Sequence, residues 1–559
     1  MAISTVFSIF SCSDYLDVNK NENKPLYDQL PLSSLLSAAE NACYTEQAQN
    51  MNDTGNVYTN AWGGNVSQYG NVLPNEFTLQ MPSNYASSTA IWNTQYPNIN
   101  NFSRILTRTN VTGINDRYFA ASLICRAHYM QYIVDLFGDC PFTEAFKGNF
   151  DGTGLSPKYN DDQYIYRLLI ADLEKAKALI LAANPNAEDI AASDPMLAGD
   201  MNKWYDFADT VELRMLLRMS NNTGAVATWR DAKLLTLQAD AIAAPGGTGG
   251  YVTTPVSINP GYNISTNDTL NPFYAQNGVG TDGQTPSGNY NFYCPTGHAF
   301  KCFTTYATYA ACPSPSTVNV GSLNYPNVAD ARFLRLRKSG SSSGTKTVTQ
   351  GSNIADVYAS TATGSNAYRI TGTGLWNPYN VITATVLTDY GTAKGYVMTL
   401  QESLFLQAEA GLRGYAGFTP VSGLVAYNAG IDESFLYLGI AASSPAYKTA
   451  IANKIGYSAT AAGASPAQKL QGLMYQKWVA LFGIHGIESF IDYTRTGYPV
   501  NPLPIGTGII HTNKVNRFVY PNSEIIANTS NVPAVSEDDC FTINSKSPFW
   551  LQGNPVLGN

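Results

Sequence analysis

Apolar residues recur at helical spacing in two blocks of this chain, with a long aperiodic stretch between them. In the first block Leu32, Leu35, Leu36, Ala39 and Cys43 share one helical face, and Pro31 stands where a helix start is favoured, which predicts a helix over 31–47. Residues 48–90, rich in Asn, Gly and Tyr, read as loop, and a second helix is predicted over 86–107. The clearest pattern is Tyr118, Ala121, Cys125, Tyr129, Tyr132 and Leu136, capped by Asn115 or Asp116 and stopped at Gly138 with Pro141 beyond. Further periodic segments predict helices over 161–181, 199–220 and 228–243. From about 245 to 390 the period vanishes and Gly, Ser, Thr, Asn, Pro and Tyr dominate, as in a loop-rich lobe with a few short strands such as 367–370. Helices return over 399–414, 421–437, 446–455 and 466–482, and the chain from 498 is irregular and Pro-rich.

The predicted fold is therefore predominantly α: helical pairs at both ends of the chain and an irregular lobe with short strands between them. Its units are an N-terminal scaffold over 31–244 with loops at 48–90, an insertion lobe over 245–395, a C-terminal scaffold over 396–497 and a tail over 498–559. No 34-residue consensus repeats, so spacing alone does not establish tetratricopeptide-like stacking.

The first twelve residues change the picture. A mostly apolar run from Ala2 to Phe10 ends in Ser11-Cys12, followed by a polar stretch over 13–30. Spanning a bilayer takes roughly 20 apolar residues, whereas the apolar part of an export signal needs only about 7–15. A Cys behind a small residue at the end of such a run is where bacterial lipoproteins are cut and acylated, so residues 1–12 read as a signal remnant. Cys12 becomes the expected lipidation site, with 13–30 a flexible leader. The charged n-region expected of a signal is missing, as in a truncated start.

Composition narrows the function classes. The 559 residues carry 33 basic and 41 acidic side chains, only 13% charged, with a net charge of −8 and no basic clusters, which argues against a nucleic-acid partner. Mean hydropathy is −0.15, and aromatic content of 12% is dominated by 36 Tyr. A surface poor in charge and rich in Tyr and Asn suits an exported protein meeting neutral, hydroxyl-rich ligands. Eight Cys and four His include no CxxC pair, so a zinc site is not expected. Cys294, Cys302 and Cys312 lie close enough in sequence to include one disulfide, while Cys125 reads as a small buried hydrophobe.

No constellation supports an enzyme. Gly278-x-Gly280-x-x-Gly283 has the spacing of a dinucleotide fingerprint, but Asn271-Pro272 precedes it and Pro286 follows, so it reads as loop. Gly340-x-Ser342-x-Gly344 has the spacing of a nucleophile elbow in a low-complexity stretch with no helix after it. Asp161-Asp162 reads as a helix cap, Asp538-Asp539 as a solvated loop and His485 as a turn residue. What remains is aromatics in polar loops, whose rings stack on sugar C–H faces: Trp62, Tyr69, Tyr85, Tyr274, Tyr290, Tyr293 and Trp376 are the candidate ligand contacts.

Several stretches, taken in order, resemble the SusD/RagB family and its SusD-like nutrient-binding branch. They are CSDYLDVNKNENKP at 12–25, DLFGDCPFTEAF at 135–146, DLEKAKALI at 172–180, GDMNKWYDFADTVELRMLLRMS at 199–220, ESLFLQAEAGLRG at 402–414, QKWVALFGIHGIESFIDYTRTGYP at 476–499 and FVYPNSEIIANTSNV at 518–532. The resemblance implies a tetratricopeptide-like helical scaffold with an irregular lobe, tethered by Cys12 to the outer membrane of a Bacteroidetes-type bacterium. It implies capture of a glycan, or sometimes a peptide, and delivery to a SusC-like TonB-dependent barrel that the protein caps as a lid. It implies no catalysis and no cofactor; a structural calcium is left open. The alternatives are a surface glycoside hydrolase and a structural or adhesion lipoprotein. The matched motifs are scaffold, so no ligand residue is carried over from them.

Overall fold

The computed structural model describes residues 30–64, 73–147, 154–282, 285, 287–305, 325–336, 350, 391–505 and 508–552. Of the described residues 56% are helix and 4% strand, a predominantly α, tetratricopeptide-like fold as expected. Helix α1 (Leu32–Glu46) runs through a π turn (Gln47–Met51) into α2 (Asn52–Tyr58). Then come β1 (Trp62–Gly64), the short α3 (Asn75–Thr78), α4 (Ala86–Leu106) and α5 (Asp116–Phe137). Strands β2 (Cys140–Pro141) and β3 (Tyr159–Asn160) lead to α6 (Asp162–Ala182), α7 (Met201–Arg218) and α8 (Gly224–Ala243). The lobe holds β4 (Val256–Ile258), α9 (Pro272–Asn277), α10 (Gly288–Phe292), β5 (Tyr293–Pro295) and α11 (Gly297–Phe303). Strand β6 (Gly395–Met398) returns the chain to α12 (Leu400–Arg413), α13 (Pro420–Tyr437), α14 (Ser444–Ile451), α15 (Pro466–Leu481) and α16 (Gly486–Thr496), with α17 (Asn522–Ala527) in the tail.

Local chemistry fixes many of these starts. Asp161 Oδ1 accepts the Tyr164 N–H at 2.9 Å and begins α6, so Asp161 is the expected cap. Capping boxes open α13 (Thr419 with Ser422) and α15 (Ser465 with Gln468), each with Pro at the first helical position. Helices adjacent in sequence pack as pairs: α4 on α5, α5 on α6, α6 on α7, α7 on α8, and α12 on α13. Two antiparallel strand pairs stitch the lobe to the scaffold, β1 to β5 with Trp62 opposite Pro295, and β4 to β6.

The two helical blocks meet in a buried charge network. Arg218 on α7 reaches Asp135 on α5 at 3.1 Å and Asp492 on α16 at 3.2 Å, and also pairs with Glu488. Arg495 grips Glu409 on α12 with both terminal nitrogens, at 2.6 and 2.7 Å. Lys477 on α15 bridges Glu488 and Asp492 at 3.0 and 2.6 Å. His485 links two of the buried helices, its Nδ1 2.8 Å from Glu402 on α12 and its Nε2 3.1 Å from the Tyr132 hydroxyl on α5.

The structure corrects several expectations. Residues 48–58 are helical, not loop, because the polar side chains of α2 are buried against the start of α16. Asn52 Oδ1 accepts the Gly486 N–H at 2.9 Å and Asn56 Oδ1 the Gly483 N–H at 2.8 Å. Helix α16 itself gives no separate sequence signal, and His485 is its N-cap residue rather than a free turn. Helix α8 starts at Gly224, before 228, and α14 covers Ser444–Ile451 rather than 446–455. The lobe contains short helices where no period was visible. Cys302 is a free buried thiol, as are Cys43, Cys125, Cys140 and Cys540, so a disulfide through Cys302 is excluded. The strand expected at 367–370 and the Gly340 motif lie outside the described residues.

Candidate functional site

The aromatics singled out from the sequence divide by burial. Trp62 on β1 is 0% exposed, Tyr85 1% and Tyr274 3%. A ring enclosed on both faces has none left for a sugar, so these three are corrected to packing residues. Trp62 lies 5.3 Å from the half-buried Tyr293 ring across the β1–β5 pair. Tyr85 donates to Glu76 Oε1 at 2.6 Å and receives the Tyr58 hydroxyl at 3.1 Å. Tyr274 lies over Gly278, where an added Cβ would meet its carbonyl oxygen at 2.6 Å and its ring at 2.9 Å. That close approach accounts for the first glycine of the apparent dinucleotide fingerprint, which sits in a loop as expected. Tyr290 belongs to α10, but its ring, like Tyr69, Trp376 and Cys12, lies outside the described residues.

A different set of aromatics lines an open cleft of about 370 Å³, within the usual range for ligand sites. Four segments build it: α11, the chain at 325, the turn at 455–457 leading into α15, and Pro499-Val500 after α16. The capping box of α15 sets the angle at which Gln468, Gln471 and Tyr475 face the cleft. Tyr475 is fixed by donating its hydroxyl to the Cys302 carbonyl at 2.9 Å. Tyr457 packs edge-on against it with centroids 5.0 Å apart and stays half-buried. Gln471 makes no hydrogen bond to any described residue, so its amide is available to a ligand. Tyr325 stands 5.7 Å from the His298 ring.

The floor holds Cys302, His298 and, behind it, Asn501, the residue types of a cysteine-protease triad. The geometry is wrong for that chemistry. Cys302 Sγ at 3.7 Å and Asn501 Oδ1 at 2.9 Å both address the same ring nitrogen, Nε2, so His298 cannot be oriented through one nitrogen while it deprotonates through the other. Burial also pushes the Cys302 thiol well above its ordinary range, away from thiolate. Burial likewise lowers His298 to about 4, so its imidazole is neutral. Among the described residues no charged side chain lines the cleft. The arrangement offers aromatic faces, amides and a neutral imidazole, which suits an uncharged polar ligand.

A larger cavity of about 800 Å³ lies between residues 248–253, α12 and α13, lined mainly by apolar side chains such as Leu400, Leu404 and Leu436, with Asp432 and Glu433 at its edge. Tyr251 is its one aromatic ring among the described lining residues. The sequence reading missed both cavities. The Tyr457 and Tyr475 rings were legible as residues, but the second sits in a helical stripe that reads as core.

Among the described residues no helix is long and apolar enough to cross a membrane. A family model described as SusD-like, starch-binding and associating with the outer membrane matches residues 24–244 and 340–521. Solved structures share the fold. A chitin-binding SusD homologue from Flavobacterium johnsoniae is 20% identical, with 90% of this chain and 93% of that one covered and a TM-score of 0.61. A SusD-like protein from Bacteroides thetaiotaomicron is 20% identical over 93% and 99% of the two chains, with a TM-score of 0.62. A SusD homologue from Bacteroides fragilis is 16% identical over 89% and 95%, with a TM-score of 0.59. No curated protein matches.

Proposed function

The chain belongs to the SusD-like family, and from that premise we propose that it is a cell-surface glycan-binding lipoprotein that captures a neutral oligosaccharide and hands it to a SusC-like TonB-dependent barrel. One observation carries the ligand class: the cleft at Tyr457, Tyr475 and Gln471 combines aromatic faces and amides with no charged side chain among its described lining residues. Neutral sugars present C–H faces to rings and hydroxyls to amides, whereas a peptide's termini and charged side chains find no counter-charge among the described lining residues. The family's description as starch-binding and the chitin-binding neighbour support the same class.

Cys12 is the proposed acylation site. Acyl chains insert at about 0.8 kcal/mol per CH₂, so several hold a protein lastingly. Tethering beside the barrel raises the effective ligand-site concentration, so modest affinity suffices for delivery. Tyr69, Tyr290 and Trp376 remain proposed ligand contacts. The experiment is mild extraction from native membranes followed by glycan binding. Copurification with a large barrel and binding to a neutral oligosaccharide is the expected result. Isolation without any barrel, and without affinity for any glycan, would overturn the reading.

A further inference from the structure

The cavity of about 800 Å³ between residues 248–253, α12 and α13 shares no lining residue with the cleft at Tyr457. Its size is that of a small-molecule site, where an apolar lining carries a few placed polar groups. The apolar part is aliphatic: Leu400 and Leu404 one turn apart on α12, Leu436 on α13, and Val252. Helix α13 is apolar on two sides. It buries Tyr427, Ile431 and Phe435 on one, yet Val425 and Leu436 are 65% and 57% exposed. A helix that is apolar all round belongs inside a protein, and here its outer face has no cover among the described residues.

The polar groups at this surface call for a donor with positive charge. Glu433 lines the cavity half-buried, and its carboxylate makes no hydrogen bond or ion pair with a described residue. Burial raises its pKa above the ordinary value, and no neighbouring cation offsets that rise. Asp432 beside it is already committed, accepting from the Ser444 hydroxyl and from Lys448 Nζ at 2.6 Å. Ser403 Oγ donates to the Val252 carbonyl at 3.2 Å, so it has only lone pairs for Gln407. The Gln407 amide nitrogen turns to it at 3.2 Å, which leaves the amide oxygen for a ligand. Behind Gly250, Asp209, Glu212 and Asp240 share the single lysine Lys177, and a Cβ on Gly250 would stand 2.6 Å from Asp209 Oδ2. No lysine, arginine or histidine is among the described lining residues.

We propose that this cavity is a second ligand site, for a small amphiphile with an aliphatic body and an ammonium head, the body on Leu400, Leu404 and Leu436 and the head on Glu433. Charge complementarity selects the head. An ammonium brings three donors and the positive charge that Glu433 lacks, whereas a carboxylate head would meet Glu433 and Asp432 as like charges. The aliphatic floor selects the body, because a hydrocarbon chain gains by leaving water against it. A sugar would find Tyr251 as the one ring among the described lining residues. The site is independent of which glycan the cleft at Tyr457 takes.

The test uses the full chain and probes of one length, n-octylammonium chloride, sodium octanoate and n-octanol, titrated by calorimetry. The expected result is saturable binding of octylammonium at least about ten-fold tighter than of octanoate or octanol. Affinity should also rise about four-fold for each methylene added between hexylammonium and octylammonium. Glu433→Gln, at a half-buried position, should keep the melting temperature and the neutral-glycan binding of the wild type while losing about ten-fold in octylammonium affinity. Should that variant fail to fold, the comparison of octylammonium with octanoate on the wild type decides. Octanoate or octanol binding as tightly as octylammonium, an octylammonium affinity unchanged in Glu433→Gln, or no saturable binding would overturn the proposal, and each leaves the glycan reading at Tyr457 standing.

Discussion

At the scale of single residues, function here depends on which aromatic rings have a free face. Trp62 was legible in the sequence as a loop aromatic, yet its strand pairs with β5 and its ring disappears into the core. Nothing in WGG at 62–64 announces a partner more than 200 residues away, because strand pairing is a long-range choice that local pattern does not encode. Trp62→Ala should therefore cost about 3–5 kcal/mol of stability, the range for large aromatic truncations in a core, with glycan affinity unchanged in the folded fraction. Chemical denaturation alongside binding checks both. Tyr457→Ala should do the reverse, weakening glycan binding by about 1–3 kcal/mol as aromatic anchors do while leaving the melting temperature nearly unchanged.

At the scale of elements, the long amphipathic helices were legible because each buries a stripe at the helical period. The failures share one cause. Helix α2, with the sequence NDTGNVY, is polar by composition but buried by position, its Asn side chains spent on the backbone at the start of α16. The crossing of those two helices is so close that a Cβ on Gly55 would stand 2.0 Å from the Gly486 carbonyl carbon. Both walls are backbone, so neither side can give way. Gly55→Ala should separate α2 from α16 and destabilise the protein by about 1–3 kcal/mol or more, the scale of overpacking, measured as a shift in the denaturation midpoint. The short helices of the lobe escape notice for a different reason: five to seven residues hold too few turns for a period to show.

At the scale of the whole molecule, the order of family-like stretches made the helical scaffold legible before any coordinates, while the charge network joining its two halves was not. Sparse charge in the sequence says nothing of where the charges lie, and here arginines and carboxylates from α5, α7, α12 and α16 converge in the interior. Burial would raise Glu409, but Arg495 and Arg413 outweigh it and hold the carboxyl at about 2. Its folded value is depressed below the ordinary 4.5. Its share of stability is therefore present above that value and is lost as pH falls through the range down to about 2. Glu409→Gln should flatten that acid limb of the stability–pH curve. It should also destabilise at neutral pH by about 3–5 kcal/mol, since buried Arg495 loses the carboxylate that both its terminal nitrogens grip and keeps only Asp492.

The central claim is that the cleft at Tyr457, Tyr475 and Gln471, whose described lining carries no charged side chain, holds a neutral glycan, and calorimetric titration tests it most directly. Wild-type protein and the Tyr457→Ala variant are titrated with malto- and chito-oligosaccharides, and with an acidic uronate oligosaccharide as control. The account predicts binding of a neutral oligosaccharide by the wild type, none of the acidic one, and a loss of about ten-fold or more in Tyr457→Ala at unchanged melting temperature. Neutral-glycan binding that is equally strong in Tyr457→Ala, or a preference for the acidic oligosaccharide, would contradict it.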